Sequence, residues 1–244
     1  MIRTLFTFVF AAVGVAIIMP PLIVWTMISG DVQLMYDVFI GAVRVALRIA
    51  GIQVRAEGVE NIPAGTCVFA SNHCSNLDPV AMVPKIPQRV SLLAKTDVFK
   101  IPILSKAFRQ GGVIPVDRKN REAAAESVDE AVESLKRGLS FVIFAEGTRS
   151  RDGRLQPFKR GAFVMAIRAG VPVVPVSLTG TQKLLRKGDW KLYPGEVTVK
   201  FGLPLDASQY AMENRQRLLE QTYEAVAANL PPEQQPAATS ERES

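Results

Sequence analysis

The chain has 244 residues, which is long enough for one globular domain with appended segments and for a full hydrophobic core. Its formal net charge of +6 favours an anionic partner, for which nucleic acid, an anionic membrane surface and a phosphorylated substrate all qualify, and the alternative is a basic but inert surface. The two cysteines, Cys67 and Cys74, form no CxxC pattern, so they support neither a disulfide framework nor a zinc site, and we expect a reducing compartment.

The first thirty residues are almost entirely apolar, and residues 4–29 contain no charged side chain. A membrane-spanning helix needs about 20 such residues, but Pro20 and Pro21 interrupt the run. The piece before them, residues 5–19, would reach only about 22 Å as a helix, which is short of a hydrocarbon core of about 30 Å. We therefore expect a membrane-associated segment that either spans as a kinked helix or dips in and turns back. A signal peptide and a buried core hairpin are the alternatives.

A second segment, residues 31–50, has its apolar residues at helical spacing, with Arg44 and Arg48 four residues apart. This pattern fits an amphipathic helix at an interface, with its cations toward lipid phosphates. It fits equally well an ordinary helix that packs its apolar face on the domain. We group residues 1–50 as an N-terminal membrane-associated helical segment.

From residue 51 onward, short apolar runs alternate with helical patterns. Strands are predicted at residues 53–58, 66–71, 90–95, 112–116, 140–145, 171–178 and 196–202. The run 171–178 contains prolines, which favour a sheet edge or a strand end. Helices are predicted at residues 120–137, capped by Asn120 and ended by Gly138, at 161–169 and at 208–229.

This alternation predicts an α/β domain over residues 51–230, with a mostly parallel or mixed sheet flanked by helices. The last residues, 231–244, are polar and have almost nothing to bury. We expect them to form a disordered tail.

The only histidine, His73, lies between a predicted strand and a helix that begins near Pro79. Ligands of α/β sheets bind at such strand-to-helix turns. Imidazole is a natural general base near pH 7, and it works better when a carboxylate holds one of its ring nitrogens. Asp78 follows five residues later and can meet His73 across a turn formed by Ser75 and Asn76. Alternatively, Asp78 only caps the helix and His73 is a polar loop residue.

A second candidate site is FAEGTRSRDGRLQPFKRG, residues 144–161, which follows the clearest predicted strand. Gly147 permits close approach to the backbone, Thr148 adds a hydroxyl, and Arg149 is the first of several cations. Guanidinium groups bind phosphate bidentately, so this turn is a candidate phosphate site, although it lacks the P-loop pattern. A solvated basic loop is the alternative. Arg118, at the end of GGVIPVDR, can turn into the same crevice.

Four blocks of sequence together resemble one family. NHCSNLD matches the NHxxxxD motif of the glycerolipid acyltransferases. GGVIPVDR, FAEGTRS with the following FKRG, and VPVVPVS resemble the other three blocks of that family in the same order, and the similarity spans roughly residues 58–180. The chain departs from the family at Ala145, where a proline usually precedes the glutamate. We expect this difference to alter the stiffness of the turn rather than its chemistry.

The resemblance implies a fold like that of the glycerol-3-phosphate acyltransferases. It also implies transfer of an acyl chain from acyl-CoA or acyl-ACP to the 2-hydroxyl of 1-acylglycerol 3-phosphate, in phospholipid biosynthesis. His73 would be the general base and Asp78 the carboxylate that orients it. The residues that resemble substrate-binding positions are Arg118, Glu146, Gly147, Thr148, Arg149 and Lys159, with Arg160 assisting. No acyl-enzyme, metal or other cofactor is implied, so Cys74 is expected to be structural.

The same resemblance implies an enzyme at the inner membrane, with its catalytic domain facing the cytoplasm and with lysophosphatidic acid drawn from the bilayer. One alternative is a related acyltransferase that uses glycerol 3-phosphate or a lyso-ornithine lipid. Another is a non-catalytic, membrane-anchored module that binds anionic lipid. A nucleic-acid binder is disfavoured, because the basic residues cluster at one turn without interleaved aromatic residues.

Overall fold

The structure, a computed structural model, describes residues 1–117, 120–186 and 188–236. The strands of its central sheet are β1 Ile52–Glu57, β2 Val68–Ser71, β3 Val90–Lys95, β4 Ile114–Val116, β5 Ser140–Phe144, β6 Val173–Thr179 and β7 Gly195–Phe201. They lie in the order β1-β7-β6-β2-β5-β3-β4. All neighbouring pairs are parallel except β6 and β7, so the sheet is mixed and the predicted α/β class is confirmed.

Helices pack on both faces of this sheet. The α-helices of the described residues are α1 Ile2–Val13, α2 Met19–Ser29, α3 Gln33–Ala50, α4 Asp78–Met82, α5 Pro102–Gln110, α6 Arg121–Lys136, α7 Gly161–Ala169, α8 Thr181–Leu184 and α9 Arg215–Ala227. Phe163 of α7 and Leu218 of α9 belong to one buried apolar cluster, and Leu47 of α3 and Met82 of α4 belong to the other. Fully burying one such side chain stabilises a fold by about 1.5–3 kcal/mol. Both layers therefore contribute to the core.

Strand β6 lies inside the sheet, between β7 and β2, and Pro175 lies within the strand, so residues 171–178 form neither the predicted sheet edge nor a strand end at this proline. The carbonyl of Pro175 accepts the N–H of Gly202, which places the nitrogen of Pro175 on the same side of the strand. Strand β7 ends at Phe201, and Leu203 beyond it is exposed. The ladder therefore needs no N–H at the position of Pro175, which is why a central strand tolerates this proline.

Of the helix starts predicted at Asn120 and at residue 208, the structure confirms the first and shifts the second. The side chain of Asn120 accepts the N–H groups of Glu122 and Ala123 and begins α6, as predicted. The last helix was misplaced, because α9 begins at Arg215 and not at residue 208. The carboxylate of Asp206 accepts the N–H of Ser208 and closes a separate short turn instead.

The tail also differs from the expectation of disorder from residue 231. Pro232–Gln234 forms a 3₁₀ turn, and Gln234 is buried. Residues 237–244 lie outside the described part of the chain.

The N-terminal segment is one continuous helix, Ile2–Ser29, which among the described residues is the one long and apolar enough to cross a membrane. A π-helical stretch, Gly14–Ile18, joins α1 to α2 and widens the helix just before Pro20 and Pro21, whose rings would clash with the carbonyls of a regular turn. The chain therefore does not turn back at the prolines. Only 17% of the helix's most apolar window is buried, which disfavours a buried core hairpin.

Helix α3 packs on the domain. Its Ile40, Leu47 and Ala50 join the sheet core, and Arg44 donates to the carbonyl of Pro84. Arg44 is thus bound to the protein rather than turned toward lipid phosphates. Helices α1 and α2 lie outside α3, and α2 also contacts α5. A small third cluster fills this junction and consists of Met19, Ile23, Met35 and Ala107.

The start of the long helix is fastened to the domain by Thr4. Its hydroxyl donates to the carbonyl of Leu192 and accepts the N–H of the same residue, both at 3.2 Å. The helix is thus held at a fixed place beside the sheet.

Candidate active site

The loop between β2 and α4 carries the histidine and lies at the carboxyl ends of the central parallel strands, where α/β sheets bind their ligands. Asn72 fastens this loop to β6. Its Oδ1 accepts the N–H of Leu178 at 2.8 Å, and its Nδ2 donates to the carbonyl of Leu178 at 2.9 Å. The residue before His73 therefore continues the pairing between strands with its side chain.

His73 and Asp78 meet across the turn. Nδ1 of His73 lies 2.7 Å from Oδ2 of Asp78, which is fully buried and also accepts the N–H groups of Cys74 and Ser75 at 2.7 and 2.9 Å. Because a carboxylate can only accept, the ring proton lies on Nδ1. Nε2 is then left as the nitrogen able to take a proton from a substrate.

Phe144, at the end of β5, fixes the plane of the imidazole. The two rings stack with centroids 4.2 Å apart and planes 23° from parallel. The side chain of His73 keeps 12% of its surface accessible, so the ring is held on one face but still reachable. A cavity of about 100 Å³ adjoins this stack and is lined by apolar residues, including Phe144, and by Gly147 and Lys159.

Glu146 contacts the loop between β2 and α4 that carries His73, called the base loop below, rather than solvent. Its side chain is 3% exposed, and Oε1 accepts the N–H of His73 at 2.9 Å. The pKa of Glu146 is raised to about 8, chiefly by burial and in lesser part by the neighbouring Asp78, against two backbone hydrogen bonds that lower it. The predicted place of Glu146 among the substrate-binding residues stays a prediction, and in this structure its carboxyl group supports the main chain of His73.

The stretch after Glu146 is fastened to the same loop. The N–H of Ser150 donates to the carbonyl of His73 at 2.8 Å, which brings the main chain at Arg149 beside the base. Gly147 has a φ of +73°, and a Cβ there would lie 2.8 Å from Cδ of Lys159. The glycine is therefore required for the turn and for the passage of the lysine side chain over it.

These contacts bring together most of the predicted site residues: His73, Asp78, Glu146, Gly147, Arg149 and Lys159. Thr148 is exposed in the same turn. Arg118 lies outside the described residues, so its predicted position at the crevice stays a prediction.

The sequence profile of the acyltransferase family matches residues 53–179, which is more than half of the chain. The chain belongs to the acyltransferase family. This confirms the resemblance seen in the four sequence blocks.

Individual relatives of this acyltransferase carry a more specific name. A 1-acyl-sn-glycerol-3-phosphate acyltransferase of Limnanthes douglasii is 32% identical over 95% of this chain and 82% of the relative. A protein of the same name from Escherichia coli is 34% identical over 63% of this chain and 62% of its own length. The crystal structure of PlsC, the 1-acyl-sn-glycerophosphate (LPA) acyltransferase of Thermotoga maritima, matches with a TM-score of 0.79 and 28% identity, covering 92% of each chain.

The acyltransferase keeps both cysteines buried. The pKa of the Cys74 thiol is raised to about 12, chiefly by burial and in lesser part by the carboxyl groups of Asp78 and Glu146. A thiolate nucleophile is therefore not available beside His73 at neutral pH, in agreement with a structural role for Cys74. Among the described residues, no group of three or more metal-ligating side chains could hold a metal ion.

Ala145 supplies a hydrogen bond that the proline usual in this family cannot make. Its N–H donates to the carbonyl of Ser71 at 2.9 Å and extends the pairing of β2 with β5 by one residue. The substitution therefore ties the Glu146 turn to the strand that leads into the base loop.

Sequence reasoning missed three supports of the site: the side chains of Asn72 and Phe144 and the main-chain bond of Ser150. Asn72 lies beside the histidine in the motif, so its position was a usable signal. The contacts of the other two join segments far apart in the chain, and no local spacing predicts them.

Proposed function

We propose that this acyltransferase transfers an acyl chain from an acyl thioester to the sn-2 hydroxyl of 1-acyl-sn-glycerol 3-phosphate, giving phosphatidic acid in phospholipid biosynthesis. The observation that supports this most directly is the His73–Asp78 pair, bonded through Ser150 and Glu146 to the turn that contains Arg149. These hydrogen bonds hold the proposed base, His73, and the turn that contains Arg149 at a fixed distance from each other.

In the proposed reaction, Nε2 of His73 takes the proton of the 2-hydroxyl while the hydroxyl oxygen attacks the thioester carbonyl. A C–O bond forms, the C–S bond breaks, and the imidazolium returns its proton to the departing thiolate. Asp78 keeps the ring in the tautomer that leaves Nε2 unprotonated, and its charge stabilises the imidazolium. No covalent acyl-enzyme and no cofactor is needed for this direct transfer.

The acceptor's phosphate is assigned to the turn of Gly147, Thr148 and Arg149, with Lys159 passing over it and Arg118 as a further contact. Guanidinium suits this role because it binds phosphate bidentately. Binding the phosphate holds the hydroxyl near the base, and such positioning supplies a large part of catalysis in a two-substrate reaction.

The long N-terminal helix is assigned to the inner membrane, with the catalytic domain facing the cytoplasm. Its exposed side chains are predominantly apolar and include Leu5, Phe6, Phe8, Ile17, Trp25 and Ile28. An enzyme attached in this way meets a single-chain lipid in the bilayer, while acyl-CoA or acyl-ACP arrives from the water phase. The net charge of +6 favours both anionic substrates.

The test is release of free thiol from acyl-CoA and from acyl-ACP by the purified full chain, with lysophosphatidate as acceptor. We expect release with at least one donor, and none from His73→Ala. Glycerol 3-phosphate and a lyso-ornithine lipid serve as competing acceptors, and a preference for either would move the substrate assignment. Binding to anionic vesicles without any thiol release would indicate a lipid-binding module instead.

A further inference from the structure

The chain after α9 returns to the active site as a short strap, residues 231–236. Pro231, Pro232 and Pro236 restrict its backbone, so ordering it costs less entropy than ordering a typical segment. The side chain of Gln235 donates to the carbonyls of Ala227 and Leu230 at 2.6 and 2.8 Å and fixes the strap to the end of the helix.

The next residue inward, Gln234, is 1% exposed and its side chain touches the base loop. Its Nε2 lies 3.8 Å from Sγ of Cys74 and 3.4 Å from the carbonyl oxygen of Leu178. Cys74 directly follows His73, and the Leu178 carbonyl is the group to which Asn72 fastens the residue before it. Gln234 therefore contacts the supports on both sides of the histidine.

The main chain of Gln234 holds the other loop. Its carbonyl accepts the N–H of Leu155 at 2.9 Å, near the end of the stretch that begins at Glu146. Within that stretch the carbonyl of Gly153 accepts the thiol of Cys74 at 3.6 Å. Gln234 thus joins the loop of His73 to Leu155, in the stretch that follows Arg149, and the contact between Cys74 and Gly153 joins the same two segments directly.

We propose that Gln234 is a positioning residue for acyl transfer, which holds the His73 loop and the Arg149 loop in register. The proposal rests on the function proposed above. Gln234 touches neither the reacting atoms nor the phosphate site in this structure, so its effect is exerted through Cys74, Leu178 and Leu155. Displacing a reacting group by about 1 Å can cost about 10²-fold in rate, so even a modest loosening of these loops is measurable.

The experiment compares Gln234→Leu with Glu233→Gln in the full chain. Leucine is close to glutamine in size but removes both side-chain contacts, whereas Glu233 is exposed and, within the described part of the chain, forms its ion pair with the exposed Lys183. We expect Gln234→Leu to lower kcat about tenfold with an unchanged KM for lysophosphatidate. Its melting temperature should stay within about 2 °C of the parent, since only two long contacts are lost. Glu233→Gln should match the parent throughout.

A spectroscopic readout makes the test independent of turnover. His73 is the only histidine in the chain, so the imidazole nitrogen signals in an NMR spectrum all belong to this residue. We expect them to shift or broaden in Gln234→Leu and to stay in place in Glu233→Gln. A shortened chain ending at Leu230 also loses the bond from Leu155, and it should raise the KM for lysophosphatidate several-fold in addition.

Unchanged turnover together with unchanged imidazole resonances in Gln234→Leu would overturn the proposal. A fall in kcat that tracks a lowered melting temperature, and disappears when the assay is cooled, would reduce Gln234 to a packing residue. If the parent enzyme does not acylate lysophosphatidate, the proposed function fails, while the imidazole comparison still decides whether Gln234 positions the loop.

Discussion

Replacing Asp78 by asparagine separates the charge of this side chain from its geometry. Its three donors, Nδ1 of His73 and the N–H groups of Cys74 and Ser75, all converge on Oδ2. Oδ1 has no hydrogen-bond partner among the described residues. An asparagine with its carbonyl oxygen in place of Oδ2 retains all three bonds and keeps the ring proton on Nδ1. It loses the negative charge beside the imidazolium, and it places its amide NH2 group in the buried position of Oδ1.

The size of the effect follows from Coulomb's law. Two unit charges about 4 Å apart attract by about 4 kcal/mol at an effective dielectric constant of about 20. Because about 1.4 kcal/mol corresponds to a factor of ten in rate, Asp78→Asn should lower kcat about 10³-fold. In Ser-His-Asp triads, where the same change also reverses the tautomer, the loss is about 10⁴-fold. A loss in kcat near 10³-fold in Asp78→Asn would therefore indicate that the ring of His73 keeps its proton on Nδ1.

The assay is thiol release at saturating donor and acceptor, with the imidazole nitrogen resonances reporting the tautomer. Asp129→Asn is the matched control, since it makes the same chemical change at an exposed residue paired with Arg168. We expect this control to retain full activity. A loss of less than tenfold in Asp78→Asn, with the protein folded, would refute the idea that this charge stabilises the imidazolium.

Three further outcomes follow from the site. His73→Ala should abolish turnover with an unchanged melting temperature, and near-parental acylation by the purified variant would exclude a general-base role. Arg149→Ala should mainly raise the KM for lysophosphatidate, because it removes a contact made throughout the reaction, whereas a collapsed kcat at unchanged KM would assign the arginine to the transition state. The raised pKa of Glu146 contributes stability that is complete below its ordinary value of 4.5 and is lost as pH rises through about 8. The melting temperature of the parent should therefore fall more steeply over this range than that of Glu146→Gln, and equal slopes would contradict the assignment.

Features encoded by neighbouring residues could be predicted from the sequence. Asn120 caps α6 by accepting the N–H groups of Glu122 and Ala123, and the turn between His73 and Asp78 is short enough for the pair to meet. The alternation of strands and helices likewise gave the α/β class, because a sheet covered on both faces requires continuous apolar strands.

Features set by pairing between distant segments could not be predicted in this way. The central place of β6 depends on β2 and β7 lying beside it, and the proline rule failed because Pro175 lies where β7 has already ended. Similarly, the polar composition around Gln234 is typical of disorder, but its contacts come from Leu155 and Cys74. Burial of Glu146 follows from the position of the His73 main chain, which no motif specifies.

The third cluster, in which Met19 and Ile23 of the long helix meet Met35 and Ala107 of the domain, limits how the protein can be trimmed. Cutting away the first thirty residues to obtain a detergent-free catalytic fragment would strip the cover from Met35 and from the outer side of α3. The shortened protein would lose the apolar surface of the long helix but would expose the apolar side of α3 that this helix covers. We therefore expect it to aggregate rather than to behave as a soluble fragment.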